Sequence, residues 1–262
     1  MSTLAGVLGF PVRHSRSPAM MKAAFAALGL DWRYLALAVP PERFADTVRA
    51  LAGSGYRAAN VTIPHKLAAA EVADELSADV RGIGAANALT LHEDGRIVAD
   101  NTDAGGLLDA LGEPVPGTAL VLGAGGAARA AAWALREAGA EVSVWNRTAG
   151  RAERLAKDLG LRVGKTHADL LVNATSVGLR PDDPLDGLPL VDARVVVDLV
   201  YGDAPTPIAR WAEERGARVV DGLEVLVRQG ARSLALWTGL EAPLEVMRRA
   251  VVHGASSTSA QV

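Results

Sequence analysis

The 262-residue sequence predicts a two-domain α/β protein: a mixed α/β domain at the N-terminus and a doubly wound, parallel-sheet domain after it. Three observations carry this expectation. Strand-like and helix-like segments alternate through the second half. The strand-like segments there are continuous apolar runs, as in strands buried on both faces. A glycine-rich turn, GAGGAA, stands between one such strand and an alanine-rich helix.

In the first domain, residues 1–101, AGVLGF is a short strand. Ser17 and Pro18 then open a helix as N-cap and first helical residue, and Gly29 ends it. WRYLALAV is a strand, PERFADTVRALAGSG a helix and YRAANVTI a strand. ALTLHEDGRIVAD reads as a hairpin turning at Asp94-Gly95. TDAGGLLDALG is a helix linking the halves. The second domain, residues 102–222, then runs TALVLGAG (strand), GAARAAAWALREAG (helix closed by Gly139), EVSVWN (strand), AGRAERLAKDLG (helix), ADLLVNAT and ARVVVDLV (strands), PIARWAEERG (helix) and ARVVDG (strand). Right-handed crossovers make this a Rossmann-like domain. DGLEVLVRQGARSLALWTG and PLEVMRRAVV are helices, and residues 223–253 are expected to complete the first domain. A cleft between the domains is the expected ligand site. The tail GASSTSAQV, residues 254–262, is small and polar and is expected to be flexible.

Composition removes several classes. No apolar run reaches the roughly 18 residues of a membrane span, and the N-terminus lacks the basic start of a signal peptide, so a cytoplasmic protein is expected. With no cysteine there are neither disulfides nor thiolate metal sites, and the five histidines show no ligand spacing, so no metal is expected. A net charge of -3 with interspersed signs disfavours nucleic acid. Oligomeric state, a homodimer included, is left open. The chain holds four lysines against 23 arginines, and only five asparagines. Few Asn and no Cys suit a thermophile, although a GC-rich genome produces a similar bias. All five asparagines (Asn60, Asn87, Asn101, Asn146 and Asn173) fall in motifs at or near the ends of apolar segments, where α/β folds build their sites.

The turn fits G-x-G-x-x-G/A at Gly123, Gly125 and Ala128. The first glycine permits the tight turn and the second lets the backbone approach a pyrophosphate; the small third residue lets helix and strand pack closely. About twenty residues on, where an NAD site places Asp or Glu, stand Asn146, Arg147 and Thr148, with Arg151 one turn further. A guanidinium attracts the 2′-phosphate that a carboxylate would repel. The expected cofactor is NADP.

Four stretches of the first domain carry polar groups: GFPVRHSRSP, NVTIPHK, GAANAL and NTDAGG. They offer Ser15, Ser17, Asn60, Thr62, Lys66, Asn87, Asn101 and Asp103, a neutral hydrogen-bonding set with one cation and one carboxylate. Such a lining suits a small polyhydroxylated substrate. Each residue also has a plainer reading, such as a helix cap for Ser17 or, for Lys66, a surface lysine opening a helix. In an arginine-rich chain, however, a lysine supplies what arginine cannot, a proton from a tunable pKa.

These motifs, followed by GAGGAAR, NRT, NATSVG and DGLEVLVRQG, occur in an order that resembles the shikimate/quinate dehydrogenase family from Gly9 to about Trp237. The resemblance implies an NADP-dependent oxidoreductase acting on a CH–OH group. Its reaction would be reversible reduction of 3-dehydroshikimate to shikimate, on the route to chorismate and the aromatic amino acids. It implies Ser15 and Ser17 on the substrate carboxylate, and Asn60, Thr62, Lys66, Asn87, Asp103 and Gln229 on ring hydroxyls or the reacting oxygen. Tyr201 resembles the family's substrate-side tyrosine. Gly123, Ala124, Gly125, Gly126 and Ala127 would form the cofactor turn, Ala174, Thr175 and Ser176 would line the cofactor's path, and Gly222 would lie near the nicotinamide. Lys66 and Asp103 are the implied catalytic pair. The rivals are an enzyme acting on both quinate and shikimate, a non-catalytic sensor on the same fold, which should lack the Lys/Asp pair, and a different NADP dehydrogenase.

Overall fold

The computed structural model describes residues 2–112, 114–164, 167–180 and 182–253. The tail expected to be flexible, 254–262, lies outside these residues. Backbone contacts divide the chain into two units. One runs through Thr102 and resumes at Leu226; the other is Asp103–Val225. No helix among the described residues is long and apolar enough to cross a membrane.

The first unit contains β1 (Thr3–Gly9), α1 (Ser17–Ala27), β2 (Trp32–Ala38), α2 (Phe44–Leu51), β3 (Tyr56–Val61), α3 (Lys66–Val72), β4 (Glu75–Leu76), α4 (Ala78–Ile83), β5 (Ala88–Leu91) and β6 (Ile97–Asp100). Its strands form one mixed sheet in the order β2-β1-β3-β5-β6-β4. β1 runs parallel to β2 and β3, while β5 runs antiparallel to β3 and β6. The β5–β6 hairpin turns where Asp94-Gly95 predicts it, with Gly95 at φ 86° and the Asp94 carboxylate accepting from the Arg96 N–H at 3.0 Å. α3 and α4, of seven and six residues, are too short to show a helical period in sequence; only the plainer reading of Lys66, as the opening of a helix, anticipates α3, and nothing anticipates α4. The helix expected from Pro41 begins as a 3₁₀ turn, Pro41–Arg43, before α2.

One expectation fails at α1. Ser17 is the first helical residue rather than the N-cap, which is Arg16. The capping bond comes from one residue earlier still: the Ser15 hydroxyl accepts from the Ser17 N–H at 3.3 Å. Pro18 still lies in the first helical turn, where its missing N–H costs nothing.

The second unit contains α5 (Asp103–Leu111), β7 (Thr118–Leu122), α6 (Gly126–Glu137), β8 (Glu141–Trp145), α7 (Ala149–Leu159), β9 (Arg162–Val163), β10 (Leu170–Asn173), β11 (Val195–Asp198), α8 (Pro207–Glu213) and β12 (Arg218–Val220). All six strands are parallel, in the order β12-β11-β10-β7-β8-β9. Successive residues of each strand face opposite cores. Ala119, Val121, Leu170, Val172 and Val197 join the buried faces of α5, α6 and α7. Leu120, Leu122, Leu171 and Val196 join Ile208 and Ala212 of α8. Both faces are therefore dry, which is why these strands read as unbroken apolar runs.

The chain then enters α9 (Gly222–Thr238) and α10 (Leu244–His253). In the first unit α1 packs against α10, and the Arg16 guanidinium donates to the Val251 carbonyl at 2.9 Å. A Cβ on Gly230 would stand 2.3 Å from the Met20 terminal methyl, so α9 and α1 approach closely. The other sheet face is covered by α2, α3 and α4 through Phe44, Val48, Ala69, Val72 and Val80.

Candidate active site

The two faces of β3 decide what its residues do. Ala59 and Val61 enter the core under α2 and α3. Asn60, between them, points to the opposite face and meets α9: its amide nitrogen donates to the Ser233 hydroxyl at 2.9 Å and the Asn87 carbonyl at 3.1 Å. The Tyr34 hydroxyl donates to Asn60 Oδ1 at 2.7 Å, which fixes the amide's orientation. Asn87 accepts from the Thr102 N–H at 2.6 Å and donates to Thr102 Oγ1 at 3.0 Å and Gln229 Oε1 at 3.2 Å. Ser233 and Thr102 share a hydroxyl bond of 2.9 Å, and Gln229 Nε2 donates to the Leu226 carbonyl at 2.7 Å. All of these side chains are buried. The structure thus brings Asn60, Asn87 and Gln229 into one network, although Gln229 is 142 residues from Asn87 in sequence. Asn101, also buried, donates instead to the Ala85 carbonyl at 2.8 Å.

Sequence reasoning misses Tyr34, Thr102 and Ser233. One signal was available for Ser233: it lies four residues after Gln229, on the same helix face.

Around this network run the loops after β1 and β3. They are bonded to each other, Phe10 N–H to the Ile63 carbonyl at 3.0 Å and Thr62 N–H to the Leu8 carbonyl at 2.9 Å. A Cβ on Gly9 would stand 2.4 Å from Thr62 Cγ2, so only glycine lets the loop bearing Ser15 and Ser17 lie against Thr62. Ser15 is half-buried and Ser17 buried. Lys66 opens α3, half-buried, and its carbonyl accepts from Ala86 N–H at 2.8 Å, tying α3 to the GAANAL segment. Before it, His65 is buried, stacks on Phe44 with ring centroids 4.4 Å apart, and bonds the Val39 carbonyl at 2.7 Å. Burial holds its imidazole below the usual histidine range, against the raising effect of that carbonyl. Asp103, half-buried, opens α5 in the second unit.

In the second unit Gly123 follows β7 at φ 118°, and a Cβ there would stand 2.6 Å from the Ala174 carbonyl. This close approach brings the glycine turn against Ala174 and Thr175. Gly125 differs. It is the N-cap of α6 at φ −86°, a conformation open to any residue, and beyond its chain neighbours no atom of the described residues lies within 4 Å of where a Cβ would stand. Nothing among the described residues requires glycine at this position, whereas close approach by a pyrophosphate does. The turn fits a dinucleotide. Gly126 and Ala127 begin α6, and Ala128 is buried.

β8 ends at Trp145, and Asn146 turns the chain by donating to the Thr148 carbonyl at 3.0 Å. Arg147 and Arg151 are exposed, and neither they nor Arg154 make an ion pair among the described residues. Thr148 occupies the N-cap of α7 without a capping side-chain bond. Arg147 and Arg151, without an ion pair among the described residues, stand at the N-terminal turn of α7 and oppose its dipole. An anion between them and the helix end reverses that cost.

β10 and β11 end side by side, Asn173 paired with Asp198. Asp198 is a lone carboxylate among valines, a signal that sequence reasoning passed over. It is 1% exposed and accepts from Asn173 Nδ2 at 2.8 Å, Val200 N–H at 3.0 Å and the Thr206 hydroxyl. Burial pushes its carboxyl above the usual range; the three donors pull it down, and Asp221 adds to the upward push. Tyr201 lies half-buried in the loop that follows. Gly222 opens α9, where a Cβ would stand 2.8 to 2.9 Å from the carbonyls of Val200, Asp198 and Leu199.

A parallel doubly wound unit with a dinucleotide turn and a basic strand end, joined to a unit with a buried polar network at its strand ends, defines the class: a nicotinamide-dinucleotide-dependent oxidoreductase of two α/β units. Comparison with known proteins narrows it. Residues 7–89 match the shikimate dehydrogenase substrate binding domain, residues 112–175 the shikimate / quinate 5-dehydrogenase domain, and residues 222–252 the shikimate 5'-dehydrogenase C-terminal domain. The shikimate dehydrogenase (NADP(+)) of Methanopyrus kandleri is 45% identical over 96% of each chain. The crystal structure of shikimate 5-dehydrogenase from Thermus thermophilus in complex with NADP(H) and shikimate is similar at a TM-score of 0.88, with 44% identity over 95% of this chain and 98% of that one. The ligand-free 5-ketofructose reductase of a Gluconobacter strain is also similar, at a TM-score of 0.82 and 31% identity over 96% and 98%. The chain belongs to the shikimate dehydrogenase family.

Proposed function

We propose that this protein catalyses the reversible, NADPH-dependent reduction of 3-dehydroshikimate to shikimate in the cytoplasm. The observation that carries the reading is the network through Asn60, Asn87 and Gln229, in a chain 44% identical to a Thermus enzyme crystallised with NADP(H) and shikimate. The network spends most of its donors internally. Both amide hydrogens of Asn60 are bonded to Ser233 and Asn87, so toward a ligand Asn60 offers only the second lone pair of Oδ1. Gln229 retains one amide hydrogen after its bond to Leu226. Neutral groups of this kind recognise hydroxyls.

In this reading Ser15 and Ser17 bind the substrate carboxylate through neutral donors. Asn60, Thr62, Asn87 and Gln229, with Tyr201, orient the ring and its hydroxyls. The cofactor is held by the turn Gly123–Ala127, by Ala174, Thr175, Ser176 and Gly222, and by Arg147, Thr148 and Arg151 at its 2′-phosphate. When bound, NADPH supplies a hydride to the ketone carbon. Negative charge then builds on the ketone oxygen, where the Lys66 ammonium stabilises it and delivers the proton, with Asp103 orienting Lys66. The products would be the alcohol, NADP⁺ and a neutral Lys66 amine, which regains its proton from solvent, so that charge and protons balance.

The test is oxidation of shikimate and of quinate, each with NADP and with NAD. Rapid turnover of shikimate with NADP is expected. Comparable turnover of quinate would make the enzyme dually specific. Binding of shikimate without turnover would make the protein a sensor and refute the reading.

A further inference from the structure

We infer that Asp198 is a positioning residue: its carboxylate joins the loop bearing Ala174, Thr175 and Ser176 to the loop bearing Tyr201, so that one buried group sets cofactor and substrate contacts together. The inference rests on the function proposed above.

Asn173 and Asp198 are the last residues of adjacent parallel strands and are paired in the ladder. From this point two chains of bonds lead outward. Toward the 174–176 loop, Asn173 donates to Asp198 at 2.8 Å and to the Val177 carbonyl at 3.0 Å, while its Oδ1 accepts from the Thr175 N–H at 3.1 Å and hydroxyl at 2.7 Å. Toward the 199–206 loop, Asp198 accepts from Val200 N–H and from the Thr206 hydroxyl. Thr206 in turn accepts from Ala209 N–H at 3.0 Å and so caps α8. The loop bearing Tyr201 is therefore pinned at both ends by one carboxylate. Gly222 packs against the carbonyls of the same loop, so the start of α9 is registered to it as well.

The three donors to Asp198 are all neutral. Burying a charge without a cation is costly, and an apolar or amide side chain would avoid the cost. What only the carboxylate supplies is acceptor capacity on both oxygens. In Asp198→Asn one of the two positions becomes a donor. Either way a bond is lost: facing Thr206, the amide can only donate to the oxygen that already accepts from Ala209 N–H and leaves the threonine proton without its acceptor, and facing Asn173 and Val200 it leaves both of their N–H donors without one.

The experiment measures the Kd of NADP by calorimetry, the KM of shikimate, kcat and Tm for the full-length chain and its variants. Asp198→Asn and Thr206→Val should each raise both the NADP Kd and the shikimate KM by about tenfold, the effect of roughly one buried hydrogen bond. Thr206→Ser, which keeps donor and cap, should restore both. Val196→Ala, in the same strand but facing the core under α8, should lower Tm without moving either constant. The inference is overturned if Asp198→Asn and Thr206→Val bind both ligands as the wild type does. It is equally overturned if Val196→Ala shifts the constants as much at a matched loss of Tm. Should Asp198→Asn fail to fold, the Thr206→Ser and Thr206→Val pair decides alone. Wild-type protein that binds NADP but ignores shikimate would sink the proposed function, and the calorimetric series would still judge Asp198.

Discussion

Replacing Arg147 with alanine should separate the two nicotinamide dinucleotides. Arg147 is exposed, one residue before the N-cap of α7, and has no ion pair among the described residues, so its removal leaves no carboxylate orphaned there. A charge-assisted hydrogen bond contributes about 1.5–3 kcal/mol. The exposed position is bathed in water and counterions, which favours the lower part of that range. About 1.5–2 kcal/mol corresponds to roughly 10- to 30-fold in Kd. NADP should weaken by that factor, and NAD, which has no phosphate there, should bind as before. Arg151 and Arg154 remain, so some preference for NADP should survive, and Arg147→Ala combined with Arg151→Ala should remove more of it. The free protein should respond in the opposite sense. A cation at a helix N-terminus opposes the dipole by about 0.3–1 kcal/mol, so Tm should hold or rise slightly. The assay is calorimetric titration of NADP and NAD at low and high salt, with a melt of each apo protein. Equal losses for both cofactors, or an NADP affinity indifferent to salt, would refute the reasoning.

Lys66→Ala should lower kcat by about 10²- to 10⁴-fold with a smaller change in KM, because the oxygen it faces becomes anionic only as hydride arrives. Lys66→Arg should not restore the rate, and Asp103→Asn should lower kcat as well; steady-state kinetics in which only KM moves would reassign Lys66 to binding. The two turn glycines should differ. Gly123→Ala meets the Ala174 carbonyl at a φ of 118° and should lose about 3 kcal/mol or more of stability, whereas Gly125→Ala should melt near the wild type yet bind NADP at least about tenfold more weakly. Melts and titrations of the two variants compare them directly. Burial holds the His65 imidazole below its ordinary value of 6.5, so the unfolded chain takes up its proton more readily than the native one. Its contribution to stability is complete above that pH and is lost as pH falls below it. The Tm of the wild type should therefore decline as pH falls below about 6.5, and His65→Phe should decline less steeply; parallel curves would exclude His65 as the source.

The sequence determined the parts of this protein whose physics is local. Unbroken apolar runs such as TALVL and VVV demanded a sheet dry on both faces, because a strand with one wet face alternates. Asp94-Gly95 set the hairpin, and GAGGAA with Arg147 pointed to a phosphate-bearing dinucleotide, since backbone freedom and charge are properties of the residues themselves. The short helices α3 and α4 showed no period because six or seven residues hold too few turns. Ser17 was misplaced by one residue because a cap is defined by which hydroxyl reaches which N–H, a matter of geometry rather than residue type. The partners of the polar residues lay further beyond reach. Asn60 meets Ser233 across 173 residues, and Asn87 meets Gln229 across 142. Asp198 gathers Asn173 and Thr206 because two parallel strands end at the same level. Sequence names the donors and acceptors, but a buried polar group is stable only when a partner is brought to it, and only the packing of sheet and helices decides which partner that is.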